Sequence, residues 1–202
     1  MEHTNNIITL RGELEALPEF SHENHGRLFY RFELNVTRLS GAIDTLPVIA
    51  EASLLEKMDL SAGDMIAVTG QIRSHNIRTE GHRRLLIFVF AASVTVEDGE
   101  PMNHVLLEGP LCREPSYRRT PLGREICDSM LAVPRAFRRA DYIPCILWGR
   151  TAQDISHCGI GDHIRICGRL QSRRYTKLTT DGTVERIAYE VSALSGEFVP
   201  EI

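Results

Sequence analysis

The sequence predicts an all-β protein made of two copies of one small domain, each with a single short helix. The first observation behind this prediction is an internal repeat, because the segment NIITLRGEL that begins at Asn6 returns as NHVLLEGPL at Asn103, about 97 residues later. The second is that glycines of the two copies are in register, since Gly12 aligns with Gly109 at this offset. The third is that β-branched and apolar residues occur in short runs bounded by glycine, proline or charged residues, a pattern typical of strands.

The repeat extends through both halves of the chain. With one added residue, Gly70 aligns with Gly168. Between the copies lies Gly-Glu-Pro at 99–101, which contains the two residue types that most often interrupt secondary structure. We therefore predict one domain at residues 1–100 and a second at residues 101–202.

Each copy holds five predicted strands, with a helix between the third and the fourth. In the second copy the strands are predicted at 104–111, 124–133, 142–148, 163–174 and 187–193, and the helix at 151–157. In the first copy the strands are predicted at 6–17, 28–39, 46–51, 65–74 and 85–97, and the helix near 53–58. This is the order of the OB-fold, a small barrel that binds oligonucleotides on one face. The predicted architecture is two tandem OB-fold five-stranded barrels.

Composition argues against several other classes of protein. No apolar run approaches the roughly 20 residues of a membrane-spanning helix, and the first residues lack the pattern of a secretory signal. We therefore expect a cytoplasmic, nucleoid-associated protein that contacts no membrane. Five cysteines without a CxxC pair favour reduced thiols. Because no nucleophile, phosphate-binding or metalloprotease motif is present, we expect no enzyme and no cofactor.

Two histidines and two cysteines lie close together in the second copy and resemble a zinc-ligand set. They are His157, Cys158, His163 and Cys167. Alternation along the predicted strand places Cys167 on the side of Arg165, which gives no obvious tetrahedral arrangement. We therefore expect no metal site.

Charge is distributed unevenly between the two copies. The first hundred residues hold 9 Lys and Arg against 15 Asp and Glu, whereas the remaining residues hold 14 against 12. The formal net charge of the whole chain is −4. Since contacts with nucleic-acid phosphates need local positive potential, the second copy is the better candidate for a nucleic-acid-binding domain.

Several spaced motifs of the second copy occur in a fixed order. They are the opening segment at Asn103, the Thr120-PLG turn, Trp148-Gly-Arg before the helix, and GRLQSRRY from Gly168 to Tyr175. In this order they resemble the DNA-binding domain of bacterial single-stranded DNA-binding proteins over nearly the whole second copy. The resemblance implies an OB-fold that binds single-stranded DNA and acts in replication, recombination or repair.

Binding a single strand without reading its sequence needs aromatic faces for base stacking and cations that follow the phosphates. The resemblance places stacking aromatics after the second strand, at both ends of the third and at the end of the fourth. These positions hold Phe137, Tyr142, Trp148 and Tyr175. The cations expected to contact DNA are Arg118, Arg119, Arg135, Arg138, Arg139, Arg150, Arg173, Arg174 and Lys177.

A structural role is the alternative for each of these aromatic residues. Period-two alternation places Trp148 on the same face as Tyr142 and opposite Cys145 and Leu147. This arrangement favours an exposed indole, although Trp148 could instead belong to the core. Tyr142 and Tyr175 could each brace a loop rather than stack on a base.

The first copy lacks the aromatic set. At the matching positions stand Ser40, Thr45, Glu51 and, approximately, Ile77. Its own aromatics lie inside predicted strands, and Phe88 and Phe90 alternate with Ile87 and Val89, which favours a core or interface role. We therefore expect a degenerate first barrel that serves structure, oligomerisation or partner docking.

Two hypotheses remain for the partners of the chain. Proteins of the resembled family commonly assemble four OB-folds, so we expect a homodimer, although the two halves could instead pair with each other and stop at a monomer. The alternative function is that of the primosomal OB-fold proteins: an interaction module with weak nucleic-acid affinity. In that case the acidic first domain would dock a replication or repair protein.

Overall fold

Within the described residues, twelve β-strands form one continuous hydrogen-bonded sheet that closes into a barrel at each end. The computed structural model of the chain describes residues 5–79, 82–179 and 182–200. The first half contains β1 (Asn6–Leu14), β2 (Glu19–Asn24), β3 (Arg27–Thr37), β4 (Ile43–Glu51), β5 (Met65–Thr79) and β6 (His82–Val96). The second half contains β7 (Met102–Pro110), β8 (Ser116–Arg119), β9 (Glu125–Arg135), β10 (Arg139–Trp148), helix α1 (Gly149–Ile155), β11 (His163–Thr179) and β12 (Gly182–Phe198).

Both halves close with the same strand order. In the first, β1 pairs with β3 and β5, β3 with β4, β5 with β6, and β4 runs parallel to β6. In the second, β7, β9, β10, β12 and β11 repeat this circuit, and the barrel closes through a bridge between Leu111 and Leu131. This is the predicted pair of OB-fold barrels, and the all-β fold class is confirmed.

Three local features differ from the sequence-based prediction. The short strands β2 and β8 were not predicted, because both consist mainly of polar, exposed residues without an alternating pattern. The β11–β12 hairpin extends well beyond the predicted strand ends. The predicted helix of the first copy is only a 3-10 turn at Ala52–Leu54. In the second copy α1 buries Ala152 and Ile155, whereas Leu55, which matches Ala152, is only half-buried.

Alternating residues of the strands fill the two barrel interiors. In β1 every second residue from Asn6 is buried, as expected for a strand with one face in a core. Buried core residues include Ile8, Leu10, Leu34, Leu46 and Val68 in the first barrel, and Leu107, Leu131, Val133, Leu147 and Ile166 in the second.

Antiparallel pairing of β1 with β7 joins the two barrels. The register runs from Asn6 opposite Leu107 to Arg11 opposite Met102, and Ile8 lies opposite Val105, its own counterpart in the repeat. A local twofold pseudosymmetry axis therefore passes near this pair.

Glycines at equivalent positions of the two repeats permit the close strand pairing within each long hairpin. Both β5 and β11 carry a bulge, one at Gly70 and one at Gly168. A Cβ atom at Gly70 would lie 2.2 Å from the Phe90 carbonyl oxygen, and one at Gly168 would lie 2.3 Å from the Ser192 carbonyl oxygen. Only glycine permits this approach of the two backbones.

Two buried aspartates bind the barrels to each other reciprocally. Asp44 of the first barrel accepts hydrogen bonds from the backbone N–H and the hydroxyl of Ser172 in the second, at 2.7 and 3.0 Å. Its repeat counterpart Asp141 accepts the backbone N–H of Ser74 in the first barrel at 2.8 Å. Each carboxylate also accepts an arginine of its own barrel, Arg38 for Asp44 and Arg135 for Asp141.

Replacement of Asp44 by alanine tests the importance of this contact. The Arg38 guanidinium and the Ser172 N–H would lose a buried acceptor, so we expect the free energy of unfolding to fall by about 3–5 kcal/mol, measured by urea denaturation. The control is Glu19→Ala, which removes an ion pair with Arg31 whose two side chains are mostly exposed; its cost should stay below about 1 kcal/mol. Equal costs for the two variants would contradict the assignment.

Candidate nucleic-acid interface

Strand β10 presents one face to the barrel core, and on its other face Tyr142 and Trp148 reach the surface on either side of buried Ile146. Ile143, Cys145 and Leu147 are buried, whereas Tyr142 and Trp148 are exposed on the opposite face. Trp148 keeps 37% of its surface exposed. The core alternative for Trp148 is therefore wrong.

A hydrogen bond fixes the orientation of Trp148. The indole Nε1–H donates to the hydroxyl of Ser192 on the neighbouring strand β12, at 3.1 Å. Ser192 lies opposite Ile146 in the parallel pairing of β10 with β12, which sets the distance between the two side chains. A ring held by its edge keeps one orientation, and its exposed surface remains available to a base.

Two grooves flank Trp148. The first, called here the Arg124 groove, has a volume of about 620 Å³, and the second, the Arg113 groove, about 720 Å³. Arginines lining the Arg124 groove are Arg38, Arg124, Arg169 and Arg173, and no Asp or Glu is among the described residues that line it. The Arg113 groove contains Arg113, Arg118 and Arg173 together with Asp128 and Glu190. The Arg124 groove is therefore the more positive of the two.

One residue of the Arg124 groove comes from the first half of the chain. Arg38 directly follows β3, in the loop that leads to β4. Its guanidinium donates hydrogen bonds to Asp44 and lines the Arg124 groove. Arg38 is not among the predicted site residues, because no pattern in the sequence indicates contact between the two halves. The available signal was its alignment with Arg135 in the repeat.

Tyr175 and Arg173 lie on the same face of strand β11. The guanidinium carbon of Arg173 is 5.6 Å from the Tyr175 ring centroid, within the range of a cation–π contact. Alternation puts Arg174 on the other face, where it lines a separate groove with Arg84 and Glu33. The structure thus separates Arg174 from Tyr175. The side chain of Lys177 lies outside the described residues.

Phe137 occupies the tip of the β9–β10 hairpin. It is 93% exposed, and both Phe137 and Arg138 have positive φ angles, 62° and 54°. Positive φ in non-glycine residues costs of the order of 1–3 kcal/mol and is concentrated at functional sites. The hairpin therefore presents a large apolar ring and a cation to solvent at a conformational cost.

Most of the predicted arginines have a carboxylate partner. Arg118 pairs with Asp128 at 2.9 Å and Arg119 with Glu125 at 2.8 Å. The hydrogen bond from Arg119 is the largest cause of the lowered pKa of Glu125. The remaining pairs are Arg135 with Asp141, Arg150 with Asp154 and Arg173 with Glu190.

Arg138 and Arg139 differ from these arginines. Both are exposed at the tip of the hairpin, and neither has an acidic partner within the described part of the chain. Their charge is therefore available to an external anion without loss of an existing ion pair.

The first barrel carries an acid at the position of the tryptophan. Glu51 matches Trp148 in the repeat and forms an ion pair with Arg27. The hydrogen bond from Arg27 is the largest cause of the lowered pKa of Glu51. Thr45, which matches Tyr142, donates a hydrogen bond from its hydroxyl to Asn35 at 2.8 Å.

Of the core and interface roles expected for Phe88 and Phe90, the core role is wrong, because both rings are only half-buried, whereas the interface role stays a prediction. Ile87 and Val89 are the core residues of β6. Phe88 and Phe90 face the other side and line an open groove. Alternation correctly predicted that Phe88 and Phe90 lie on one face of β6 and Ile87 and Val89 on the other. Because all four residues are apolar, the pattern did not show which face points inward.

Burial suppresses the reactivity of the central thiols. Desolvation is the largest cause that raises the pKa of Cys127, to about 11, and it also raises the pKa of Cys145. Within the described ranges, no three His, Cys, Asp or Glu side chains lie close enough to hold a metal ion. No described helix is long and apolar enough to cross a membrane.

The chain is similar to known single-strand binding proteins in sequence. The model of the single-strand binding protein family matches residues 102–199. Single-stranded DNA-binding protein B of Bacillus subtilis is 36% identical over 80 residues, which cover 36% of this chain and 71% of that protein. The chain belongs to the single-strand binding protein family. A single-stranded DNA-binding protein of Bacillus cereus is 38% identical over 81 residues, 37% of this chain and only about half (48%) of that protein.

Solved structures extend the similarity to both halves of the chain. The single-stranded DNA binding protein of Thermus aquaticus, as a deletion mutant, superposes with a TM-score of 0.77 at 25% identity and covers 98% of this chain and 95% of its own. The wild-type protein gives a TM-score of 0.80 at 24% identity, over 97% and 93% of the two chains. Members of the single-strand binding protein family are DNA-binding proteins without enzymatic activity, so the prediction of a non-enzyme is confirmed.

Substitution of Phe137 separates a role of this side chain in DNA binding, expected from the sequence, from a role in folding. Glycine accepts a positive φ without strain but loses more entropy on folding, so Phe137→Gly should change the free energy of unfolding by less than about 1 kcal/mol. If Phe137 stacks on a base, as the resemblance implies, the same variant should lose affinity for oligo-dT. Urea denaturation and fluorescence titration measure the two effects. A large loss of stability would show that the ring packs against the protein.

Proposed function

We propose that this chain binds single-stranded DNA without reading its sequence, through its second barrel, residues 101–202. The observation that carries the proposal is Trp148, exposed, held by its edge and flanked by two arginine-lined grooves. The names of the Bacillus and Thermus relatives, all single-stranded DNA-binding proteins, support it.

The chemistry of the site accounts for both affinity and tolerance of sequence. Every base has a π face, and stacking on an aromatic side chain contributes about 1–3 kcal/mol per base. Trp148, Tyr175, Tyr142 and Phe137 supply such faces at separate positions of the barrel. Arginines of the Arg124 groove and of the β9–β10 hairpin supply charge for the phosphates. In this proposal the protein protects exposed strands in the cytoplasm, at the nucleoid, as an accessory to replication, recombination or repair.

The first domain, residues 1–100, has a structural role in this proposal. Its β1 completes the continuous sheet with β7, and its Arg38 contributes to the Arg124 groove. A homodimer with four barrels is supported by half-exposed Ile7 and Leu106, which lie opposite each other on the outer face of the sheet. Docking of a replication or repair protein on this domain is supported by its excess of acidic residues.

Sedimentation equilibrium tests the proposed dimer. The expected result is a mass of twice one chain, about twice 22.8 kDa. A mass equal to one chain across the concentration range would exclude the dimer and leave the two barrels of a single chain as the complete assembly.

Fluorescence of Trp148 tests strand binding directly, since it is the only tryptophan. Titration with oligo-dT at two salt concentrations should quench the indole, because the ring stacks on a base. Affinity should fall as salt rises, since phosphate contacts release counterions. Absence of both quenching and an electrophoretic shift would exclude the strand-binding proposal and favour the interaction-module hypothesis.

Replacement of Arg139 by alanine tests the unpaired cations of the hairpin. If this guanidinium contacts one phosphate, the slope of log affinity against log salt should decrease in magnitude by about 0.7. The matched control is Arg31→Ala, which makes the same change in net charge on the first barrel, where Arg31 pairs with Glu19. Similar slopes for the two variants would show that only overall charge matters.

A further inference from the structure

Strands β2 and β8 are the two ends of the continuous sheet. Among the described residues β2 pairs only with β3, and β8 pairs only with β9. Nearly every residue of both strands is exposed. Because the outward N–H and C=O groups of an edge strand can pair with a further strand, each end of the sheet is a template for a second chain.

The two edge strands carry opposite charges. Strand β2 contains Glu19 and Glu23 and no lysine or arginine, whereas β8 contains Arg118 and Arg119 and no acid. No lysine, arginine or acid stands at the matching positions of the other copy, which hold Ser116, Thr120, Ser21 and His22. The two edges therefore differ in charge although they belong to equivalent parts of the repeat.

Each edge strand presents one charge on each of its faces. In β2 the bulge that follows Phe20 leaves Glu19 on one face and Phe20 with Glu23 on the other. Alternation in β8 leaves Arg118 on one face and Tyr117 with Arg119 on the other. Phe20 and Tyr117 match in the repeat, and both are exposed. The two edges thus share one arrangement of an aromatic ring and two charges, with the sign of the charges reversed.

The charges of both edges remain accessible to a second chain. Arg118 and Arg119 each have an acidic partner in their own barrel, yet their side chains stay 52% and 65% exposed. Glu19 stays 70% exposed in its ion pair with Arg31. Glu23 forms no ion pair with any described residue. A further ion pair at these side chains therefore needs little desolvation.

Repulsion between like charges restricts which edges can pair. Two β2 strands side by side would oppose glutamates, and two β8 strands would oppose arginines, which destabilises cross-strand pairing. Pairing of β2 with β8 instead opposes acids and bases on both faces and can place Phe20 beside Tyr117. The permitted contact joins different surfaces of the two chains, so it continues from chain to chain in one direction.

We propose that β2 of one chain pairs with β8 of the next chain when several chains bind the same strand of DNA. The inference rests on the proposed function, because the DNA gathers the chains. Pairing over the four residues of β8 buries little surface and needs the high effective concentration of neighbours on one strand. Arg118 lines the Arg113 groove beside Trp148, so the next chain lies adjacent to the proposed binding residues.

Chemical crosslinking of full-length chains tests this contact. One chain carries Ser21→Cys in β2 and the other carries Ser116→Cys in β8. The two variants are mixed on oligo-dT of about 130 nucleotides, which holds about four chains if each barrel covers up to about 16 nucleotides. A short bismaleimide joins nearby thiols, and mass spectrometry identifies the joined peptides, since three native cysteines are only partly buried.

We expect crosslinks between the Ser21→Cys and Ser116→Cys chains on the long strand. Oligo-dT of about 16 nucleotides should give only background, because it is too short for two neighbouring chains. Either variant alone should give no crosslink between identical positions. The matched control is Thr95→Cys in place of Ser21→Cys; Thr95 is exposed on β6, which has a neighbour on both sides, so it should not crosslink to Ser116→Cys.

Charge reversal tests the ionic part of the same contact. Glu23→Arg in the Ser21→Cys chain should lower the crosslink yield about three-fold, equivalent to about 0.6 kcal/mol for a cross-strand pair. Arg119→Glu in the Ser116→Cys chain should restore the yield. Trp148 quenching verifies in each mixture that the chains are bound to DNA. If circular dichroism shows that Ser21→Cys impairs folding, Asn24→Cys in β2 provides the same comparison.

The outcomes separate failure of this inference from failure of the proposed function. Absence of crosslinks between the two variants on the long strand, with normal Trp148 quenching, would overturn the edge contact and leave strand binding intact. Equal yields on the short and long strands, or equally frequent crosslinks between identical positions, would also overturn it. Absence of quenching would instead reject strand binding at Trp148, on which the inference rests.

Discussion

Antiparallel pairing of β1 with β7 is the interaction on which the remaining structure depends. It joins two barrels into one sheet and brings each aspartate of the pair Asp44 and Asp141 onto the backbone of the opposite barrel. These buried carboxylates in turn hold Arg38 and Arg135. Because each arginine lines a groove of the other barrel, neither groove is complete within one half of the chain. A duplicated domain has thus become a single unit with composite grooves.

The two halves show how the outer face of a barrel can diverge while the barrel remains. Most positions that fill the barrels hold apolar residues in both copies, since loss of core volume is costly; Phe32, which matches buried Ser129, is an exception. Outward positions are free of this constraint. Consequently, Trp148 corresponds to Glu51, and Ser192 to Phe90. The same framework therefore supports a tryptophan between arginine-lined grooves in one barrel and a phenylalanine cluster in the other.

Local patterns allowed much of the fold to be predicted from sequence. Alternation along β10 gave the exposed face of Trp148, and the repeat gave two barrels with equivalent strands. Contacts between the halves were not predictable in the same way. Neither alternation nor the repeat offset indicates which strand of one half pairs with which strand of the other. Arg38 was missed for this reason, and Arg135 was assigned to the second barrel's face although it lines the first barrel's groove. The opposite faces of Arg173 and Arg174 on β11 depend on the hairpin extending past the barrel, which the sequence did not predict.

The central claim is that a single strand lies across the exposed face that contains Trp148. Photocrosslinking to an oligonucleotide that contains iododeoxyuridine tests it most directly, because this base couples to aromatic side chains that stack on it. Crosslinks are expected in the peptides that contain Trp148 and in those that contain Phe137 and Tyr142 of the β9–β10 hairpin. Crosslinks confined to the outer face of the sheet, around Ile7 and Leu106, would contradict it.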